Sequence, residues 1–421
     1  MPSVARIDGQ TAEEIASSVR DLVSVGALGT GATLPPIRTL AADLGVNRNT
    51  VAAAYRQLVA AGVAETRGRG GTAIMGLPQL EREGVISGTL IDLASGNPDP
   101  ALLPALRVRA GEPVLYGAAP ADPGLVRWAR EGFEVEGPFE VVVTHGAIDA
   151  VERLLTAHLT RGDAVALEDP GFLAHIGTLR LNGYTAAPVA VDAEGMRPDA
   201  LDAALRAGAR AAVITPRAHN PTGAGVSEER AQALRAVLSA HPHVLVIEDD
   251  HFSALSVRPY VRVTPPESAR WALVRSVTKF LGPDLRVAVV ATDAVTAARL
   301  RARLEPAWVS LLLQGLARDL LADPATTALV ARARETYARR AALLAERLEL
   351  AVPPDGLNVW IDLPDDAERV AARLAERGFR VRPSTAFAVG RAPRPALRVT
   401  TSTLTPEQAD AFTAALHSAT K

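Results

Sequence analysis

From Leu90 to the C-terminal region, short apolar segments alternate with longer segments rich in Ala, Arg and Leu. Five of the apolar segments lie at 141–144, 164–167, 211–215, 244–248 and 287–291. Strands that alternate with helices form parallel sheets, and helices cover both faces of such a sheet. This part of the sequence therefore predicts an α/β domain with a mostly parallel sheet.

The N-terminal segment has a different pattern, that of three short helices and a hairpin. Thr11 and Glu14 have the spacing of a capping box at the start of an apolar helical repeat. A second helix is predicted over 37–44, and a third begins at Asn47 after a tight glycine turn. Two helices joined in this way form a helix-turn-helix. Residues 63–74 alternate around a glycine-rich tip and predict a wing.

A chain of 421 residues is too long for one ordinary hydrophobic core. The patterns predict a winged helix-turn-helix domain over 1–75 and a linker over 76–89, before the α/β part begins at residue 90.

The composition is that of a globular protein, with 48% hydrophobic and 22% charged residues. No apolar run is long enough to span a bilayer, and the first nine residues lack the apolar core of a signal peptide. Cysteine is absent, which excludes disulfides and thiolate metal sites. These features favour a cytoplasmic protein without a membrane partner or a metal. The net charge of −2 gives no general attraction to nucleic acid, so DNA binding has to be argued locally.

The start of the third helix is the predicted DNA-reading segment, since these residues meet base edges in helix-turn-helix proteins. Its polar side chains are Asn47, Arg48, Asn49 and Thr50. Three arginines are placed to contact phosphates: Arg38 in the second helix, and Arg67 and Arg69 in the wing. Five arginines and two acidic residues lie between 37 and 70, so this region is locally basic. Operator DNA is the predicted partner; the alternative is a solvated helical face.

The rarity of lysine in this sequence indicates a lysine with a chemical role in the second part of the chain. Lys and Arg together number 45, but the only lysines are Lys279 and the terminal Lys421. A lysine amine forms a Schiff base, which a guanidinium does not. The alternative is that Lys279 is a chance survivor in an arginine-rich sequence.

Segments around Lys279 fit a pyridoxal 5'-phosphate site. Asp249 ends a predicted strand and is suited to pair with the pyridine nitrogen, which keeps the ring an electron sink. Asn220, in the run His-Asn-Pro-Thr-Gly, is suited to the phenolic oxygen. Ser276 and Arg286 offer a hydroxyl and a fork of N–H donors to the phosphate.

Three further segments complete the predicted cofactor site. Gly146 and Ala147 begin a helix after a strand, and their backbone N–H groups face the phosphate. Phe172, after an Asp-Pro-Gly turn, is suited to stack on the ring, and Arg398 to bind a substrate carboxylate. Taken singly, a residue such as Phe172 is more often part of the core, and one such as Arg398 more often forms a surface ion pair.

Two sets of motifs resemble known families. The segments 34–41 and 45–51, with Gly71-Thr72 after the wing tip, resemble the GntR family of regulators. The second set begins at 96–100 and follows the order of fold-type I aminotransferases. Together they resemble the MocR subfamily of GntR regulators. The runs at 248–252 and 281–286 resemble its PtsJ-like branch, which is linked to vitamin B6 metabolism.

The resemblance implies an operator-binding homodimer with a large cofactor domain over 90–300 and a small C-terminal α+β domain over 301–421. The first segment of the large domain then contributes to the small one. It implies that Lys279 forms the Schiff base and that Tyr116 contacts the cofactor phosphate of the partner subunit. It supports the roles of the other cofactor residues and of Arg398 as a carboxylate binder.

One residue departs from the family pattern, because His251 stands where most relatives have tyrosine. Imidazole still hydrogen-bonds the phenolic oxygen, but it titrates near neutrality. The absorbance of the cofactor is therefore expected to depend on pH.

Three functions remain open at this point. The first is a sensor in which pyridoxal phosphate or an amino compound alters operator affinity. The second is an active aminotransferase with an autoregulatory DNA-binding head. The third, a DNA-binding protein whose second domain only dimerises, explains neither the lysine usage nor the motifs.

Overall fold

The computed structural model describes residues 6–29, 31–66, 71–75, 88–108, 114–305, 307–390 and 394–421. The chain forms two compact units. One comprises Met1–Glu81 with Gly177–Thr185, and the other comprises Arg82–Ile176 with Ala186–Lys421. None of the described helices is long and apolar enough to cross a membrane.

The first unit contains the predicted helix-turn-helix and hairpin. Its elements are α1 (Ala12–Ser24), α2 (Ile37–Leu44), α3 (Arg48–Ala60) and the antiparallel strands β1 (Ala64–Thr66) and β2 (Thr72–Ile74). The capping box of Thr11 and Glu14 is confirmed, because the side chain of each residue accepts a hydrogen bond from the backbone N–H of the other. Val51 and Leu58 of α3 are fully buried in a core shared with Ile15.

The residues of the turn between α2 and α3 explain why α2 ends and α3 begins at this point. Gly45 ends α2 with φ of +68°, a left-handed conformation that glycine adopts without steric cost. The side chain of Asn47 then caps α3 by accepting a hydrogen bond of 2.8 Å from the backbone N–H of Asn49. Leu40 of α2 is buried, whereas Ile37, three residues earlier on the same side of the helix, is exposed.

The second unit is built on an eight-stranded sheet in the order β4-β11-β10-β9-β8-β5-β6-β7. The strands are β4 (Glu140–Thr144), β5 (Ala164–Asp169), β6 (Thr185–Asp192), β7 (Gly195–Met196), β8 (Ala209–Ile214), β9 (Leu245–Asp249), β10 (Trp271–Ser276) and β11 (Ala288–Thr292). The central pairs β5–β8, β8–β9 and β9–β10 are parallel, whereas β11 is antiparallel to both its neighbours. The predicted mostly parallel sheet is confirmed.

Eleven further α-helices follow in the described part of the chain. They are α4 (Pro123–Gly132), α5 (Ala147–His158), α6 (Leu173–Asn182), α7 (Pro198–Arg206), α8 (Glu228–Ser239), α9 (Thr278–Leu281), α10 (Ala294–Leu304), α11 (Leu311–Ala322), α12 (Pro324–Arg347), α13 (Ala367–Glu376) and α14 (Pro406–Ala419).

A smaller set of strands forms a second layer within this unit. β12 (Asn358–Asp362), β15 (Ala396–Thr400) and β14 (Arg382–Pro383) make a three-stranded sheet, and β3 (Ile91–Asp92) pairs with β13 (Phe379–Arg380). The small sheet has its own hydrophobic core, which also contains Leu93. The long helix α12 contributes Tyr337 to the core of the large sheet and Leu344 to that of the small one. One helix therefore fastens the two layers together.

Candidate functional site

Asp249, at the carboxyl end of β9, is one of three consecutive buried acidic residues and is 1% exposed. Its Oδ2 lies 3.2 Å from Nε2 of His175 and 3.8 Å from Nδ1 of His251. Burial by itself would raise the pKa of Asp249, but the close contact with His175, with smaller electrostatic contributions from the two histidines, holds it below its usual range. Its Oδ1 is buried and has no hydrogen-bond partner among the described residues. The carboxylate is therefore ionised, with one oxygen ready to accept from a bound group.

The carboxylates on either side of Asp249 are fully engaged. Asp250 accepts two hydrogen bonds from Arg217, at 2.7 and 2.9 Å, and one of 2.8 Å from Nε of Arg275. Glu248 accepts a hydrogen bond of 2.8 Å from the hydroxyl of Tyr260. Within this run, Asp249 alone has a buried oxygen without a partner among the described residues. This supports Asp249, rather than Glu248 or Asp250, as the residue that pairs with the pyridine nitrogen.

Lys279 lies in the short helix α9, immediately after β10. Its Nζ donates a hydrogen bond of 2.7 Å to the carbonyl oxygen of Gly96. Because β9 and β10 pair in parallel, the ends that carry Asp249 and Lys279 lie at the same edge of the sheet. This edge, where the strands end, is where open α/β sheets bind their ligands.

Phe172 and His251 have parallel rings, with centroids 6.4 Å apart and 9° between their planes. The edge of the His175 ring also meets Phe172, with 5.3 Å between centroids. The aromatic side chain predicted to stack on the cofactor thus lies beside the histidines that surround Asp249. These four side chains, Phe172, His175, Asp249 and His251, therefore lie together in one site.

The predicted phosphate-binding residues come together through the register of three strands. Ser276 pairs with Ala288, which pairs on its other side with Thr144, so the ends of β10 and β4 are brought together. Gly146 has φ of +90° and begins α5 without a side-chain cap. A Cβ on Gly146 would lie 2.8 Å from Nη2 of Arg286. The left-handed φ favours glycine here, and the N-terminus of α5 with the adjacent guanidinium forms a cradle suited to an anion. The hydroxyl of Ser276 lies 2.8 Å from that of Thr278.

Arg398 is fully buried, which excludes the surface ion pair that remained open from the sequence. Its Nη1 donates a hydrogen bond of 3.1 Å to Oδ1 of Asn220, and its Nη2 donates one of 2.6 Å to the carbonyl oxygen of Ala94. The ring of Phe387 lies 5.0 Å from the centre of the guanidinium. A buried guanidinium held in this way is suited to bind a planar carboxylate.

Sequence reasoning missed a buried polar group next to Asn220. His219 Nδ1 lies 2.7 Å from the hydroxyl of Thr222, and its Nε2 lies 3.3 Å from Glu168. Glu168 also accepts hydrogen bonds from the backbone and side chain of Thr215, at 3.0 and 2.7 Å. These contacts fix the turn that carries Asn220.

His175 was missed as well, although a signal for it existed. It follows Phe172 by three residues, so the two side chains share one side of the first turn of α6. A histidine in this position, in an otherwise apolar turn, indicates a specific partner, and that partner is Asp249.

Burial lowers the pKa of His251 below its usual value of 6.5, although Asp249 opposes the shift. The imidazole is therefore neutral at neutral pH, and the pH dependence expected from the sequence moves to the acid side.

We expect the visible absorbance of the bound cofactor to change as the pH falls below about 6.5, because a proton on His251 then places a positive charge beside Asp249 and Lys279. The folded state takes up this proton less readily than the unfolded state, so acidification also reduces stability. Spectral titration of His251→Gln should lack the acid change. The exposed His243→Gln should retain it, and an identical titration in both variants would contradict the assignment.

In the first unit, four of the seven residues predicted to contact DNA lie on one exposed surface. Arg38, Asn47, Arg48 and Asn49 line a shallow groove between α2 and the start of α3. The side-chain oxygen of Asn47 is engaged in the helix cap, so only its amide N–H groups remain for DNA. Thr50 is half-buried in the first turn. Arg67 and Arg69 lie outside the described residues.

The two parts of the chain match two families. Residues 11–74 match the bacterial regulatory proteins of the gntR family, and residues 125–416 match the aminotransferase class I and II family. The fold and the site thus define a helix-turn-helix transcription regulator with an aminotransferase-type second domain.

Whole-chain relatives narrow this class. The chain is 47% identical to the vitamin B6 salvage pathway transcriptional repressor PtsJ of Salmonella typhimurium, over 98% of this chain and 99% of that protein. It is 25% identical to the probable rhizopine catabolism regulatory protein MocR of Rhizobium meliloti, over 86% of this chain and 81% of that protein. The chain belongs to the MocR subfamily of GntR regulators, in the family that includes PtsJ.

The solved structures that resemble this chain share the fold of the second unit. A kynurenine aminotransferase from Pyrococcus horikoshii superposes with a TM-score of 0.69 at 19% identity, over 80% of this chain and 92% of that protein. The fold implies pyridoxal 5'-phosphate as the cofactor. The residues fit it, since the free buried Oδ1 of Asp249 matches a protonated pyridine nitrogen and the cradle at Gly146 matches a phosphate.

Proposed function

We propose that this regulator controls genes of vitamin B6 or amino-compound metabolism, and that pyridoxal phosphate or an amino compound at the site of Lys279 alters its operator affinity. The observation that carries the proposal is the ionised Asp249, whose buried Oδ1 lacks a partner among the described residues. A domain used only for dimerisation has no need of such a group, because an unsatisfied buried polar atom destabilises the fold. The relationship to the vitamin B6 repressor PtsJ supports the choice of pathway.

Each predicted residue has a specific task in this proposal. Asp249 would pair with the pyridine nitrogen, His251 and Asn220 would contact the phenolic oxygen, and Phe172 would stack on the ring. When bound, the cofactor supplies an aldehyde that condenses with amines, and Lys279 would supply the resting amine. The phosphate would be held by Gly146, Ala147, Ser276 and Arg286.

Arg398 would bind the carboxylate of an amino effector. The carboxylate of such an effector would replace the amide oxygen of Asn220 at the guanidinium, and its amino group would take the place of the Lys279 amine. Binding changes operator affinity only if the effector has different affinities for the two states of the regulator.

A homodimer in the cytoplasm is part of the proposal. Tyr116 is 93% exposed and lies edge-on to Trp308, with ring centroids 5.7 Å apart. Val114 and Leu115 beside it are also exposed. An exposed aromatic in an apolar segment is typical of an interface, which supports the contact of Tyr116 with the cofactor phosphate of the partner subunit.

The proposal is tested by sequencing genomic DNA captured by the purified protein, with and without pyridoxal phosphate. Specific sites whose occupancy changes with the cofactor are expected, near genes whose products make, salvage or use it. Absence of specific sites under both conditions would favour the second candidate, an active aminotransferase. The buried Arg398–Asn220 pair is the observation that favours this candidate, and amino-donor turnover would test it.

Replacement of Arg48 by alanine is expected to weaken binding to a captured operator by about 10- to 100-fold, as for loss of a base contact. Cofactor uptake should not change. Arg56→Ala is the matched control, because Arg56 is also exposed on α3 but lies eight residues further along the helix. Fluorescence anisotropy with a labelled operator measures both variants. Equal losses would show that the start of α3 does not read the bases.

A further inference from the structure

The second unit contains a cavity of about 640 Å³ that includes none of the predicted cofactor-binding residues. Its walls come from the ends of β5 and β6, the Pro-Thr-Gly turn after Asn220, the segment before β12, and β12 itself. The volume is that of a pocket for a small molecule. We refer to it as the Trp360 cavity, after the largest side chain in its wall.

The wall of the Trp360 cavity includes several large apolar side chains. They are Pro170, Leu350, Val352, Pro353, Pro354 and Trp360. The indole of Trp360 is held from one side by Phe387, with ring centroids 5.8 Å apart and planes at 79°. It therefore forms a fixed aromatic surface in the cavity wall.

Two of the charged residues in the wall are already neutralised. Asp192 is paired with the guanidinium of Arg230 at 2.9 Å, and Arg197 is paired with Asp199 at 2.6 Å. Their charges are committed to these contacts and contribute little to attracting a ligand.

Four other charged residues in the wall have no salt-bridge partner in the part of the chain that the structure describes. They are Asp169, Asp362, Arg258 and Arg394. Asp169 accepts two backbone hydrogen bonds, of 3.1 Å from Val389 and 3.3 Å from Gly390, and burial raises its pKa. Arg258 donates a hydrogen bond of 3.3 Å to the carbonyl oxygen of Gly225. The cavity thus offers two carboxylates and two guanidinium groups together with apolar side chains. Equal numbers of both signs favour a ligand that itself carries one charge of each sign.

The cavity wall is joined by side-chain contacts to the Asn220–Arg398 pair. On one side, Trp360 contacts Phe387, whose ring lies 5.0 Å from the guanidinium of Arg398. On the other side, Thr222 contacts His219, the residue before Asn220, at 2.7 Å. A ligand in the cavity would therefore touch the supports of both residues.

We infer that the Trp360 cavity is a second ligand site, which takes a zwitterionic amino acid with an apolar side chain. Arg258 and Arg394 receive its carboxylate, Asp169 and Asp362 receive its ammonium group, and its side chain packs on the indole. The cavity is separate from the site of Lys279, so this ligand binds without reacting with the cofactor.

The test is calorimetric titration of the full-length holoprotein after borohydride reduction, which prevents amines from exchanging at the cofactor. L-Phenylalanine is the probe, and 3-phenylpropionate and phenethylamine are the analogues that lack its ammonium and carboxylate groups. We expect phenylalanine to bind at one site per chain, and each analogue to bind about tenfold more weakly or worse. Absence of phenylalanine binding, or equal binding of all three compounds, would overturn the inference.

Substitutions of charged residues in the cavity wall test whether phenylalanine binds in the Trp360 cavity. Asp362→Asn and Arg394→Gln are each expected to weaken phenylalanine binding about tenfold, since each removes one charge-assisted contact. The matched controls Glu376→Gln and Arg332→Gln, at exposed positions outside the cavity, should leave it unchanged. Loss of binding in Arg398→Gln, with normal binding in both cavity variants, would place the probe at the site of Arg398 and overturn the inference.

Discussion

Replacement of Lys279 by alanine is expected to abolish the covalent attachment of pyridoxal phosphate while leaving the fold intact. The side chain donates a hydrogen bond to the carbonyl oxygen of Gly96, and loss of such a bond costs only about 1 kcal/mol. No other lysine lies near the site in sequence, because Lys421 is at the terminus. The measurement is borohydride reduction followed by mass spectrometry, together with the visible absorption spectrum.

Lys421→Ala is the matched control, since it removes the remaining lysine and should keep both the adduct and the spectrum. Circular dichroism checks that both variants fold. An unchanged absorption spectrum in Lys279→Ala would refute the assignment of this lysine. Loss of the adduct in Lys421→Ala would assign the linkage to the terminus.

Replacement of Asp249 by asparagine is expected to reduce the affinity for pyridoxal phosphate more than a hundredfold, or by about 3 kcal/mol. The amide has nearly the same shape as the carboxylate but carries no charge, so a protonated pyridine nitrogen would be buried without its counter-ion. The effect should be large because Asp249 is shielded from water and its neighbours are occupied by other partners.

Titration of the apoprotein with pyridoxal phosphate, followed by absorbance, measures this affinity. Asp284→Asn, an exposed position five residues after Lys279, is the control and should bind like the wild type. Equal affinities in the two variants would show that Asp249 does not face the pyridine nitrogen. A thermal melt separates loss of binding from loss of folding.

Much of the secondary structure could be predicted from local patterns. The bounds of α2, the capping box of α1 and the start of α3 agree with the structure because they depend on neighbouring residues. The five apolar segments became strands because only a β-structure buries such short runs on both faces. The exposure of Ile37 could not be predicted in this way, since helical spacing shows that it shares a face with Leu40 but not how far the burial of that face extends.

The site could be predicted only where chemistry narrowed the choice. Lys279 was indicated by its rarity, and Asp249 by its place at a strand end. His175, Glu168 and His219 were missed because their importance lies in contacts with residues distant in sequence. The burial of Arg398 was open for the same reason, since a lone arginine in an apolar strand has several explanations.

The sequence alone determined the order of the elements, the two families joined in one chain, and the residue types of a cofactor site. These follow from local spacing and from chemistry that few side chains perform. The tertiary structure decided which carboxylate of the run 248–250 is free, that Arg398 is buried against Asn220, and that a separate cavity lies beside Trp360. Such properties depend on burial and on distances between segments far apart in the chain, which strand register and packing establish only when the whole domain has folded.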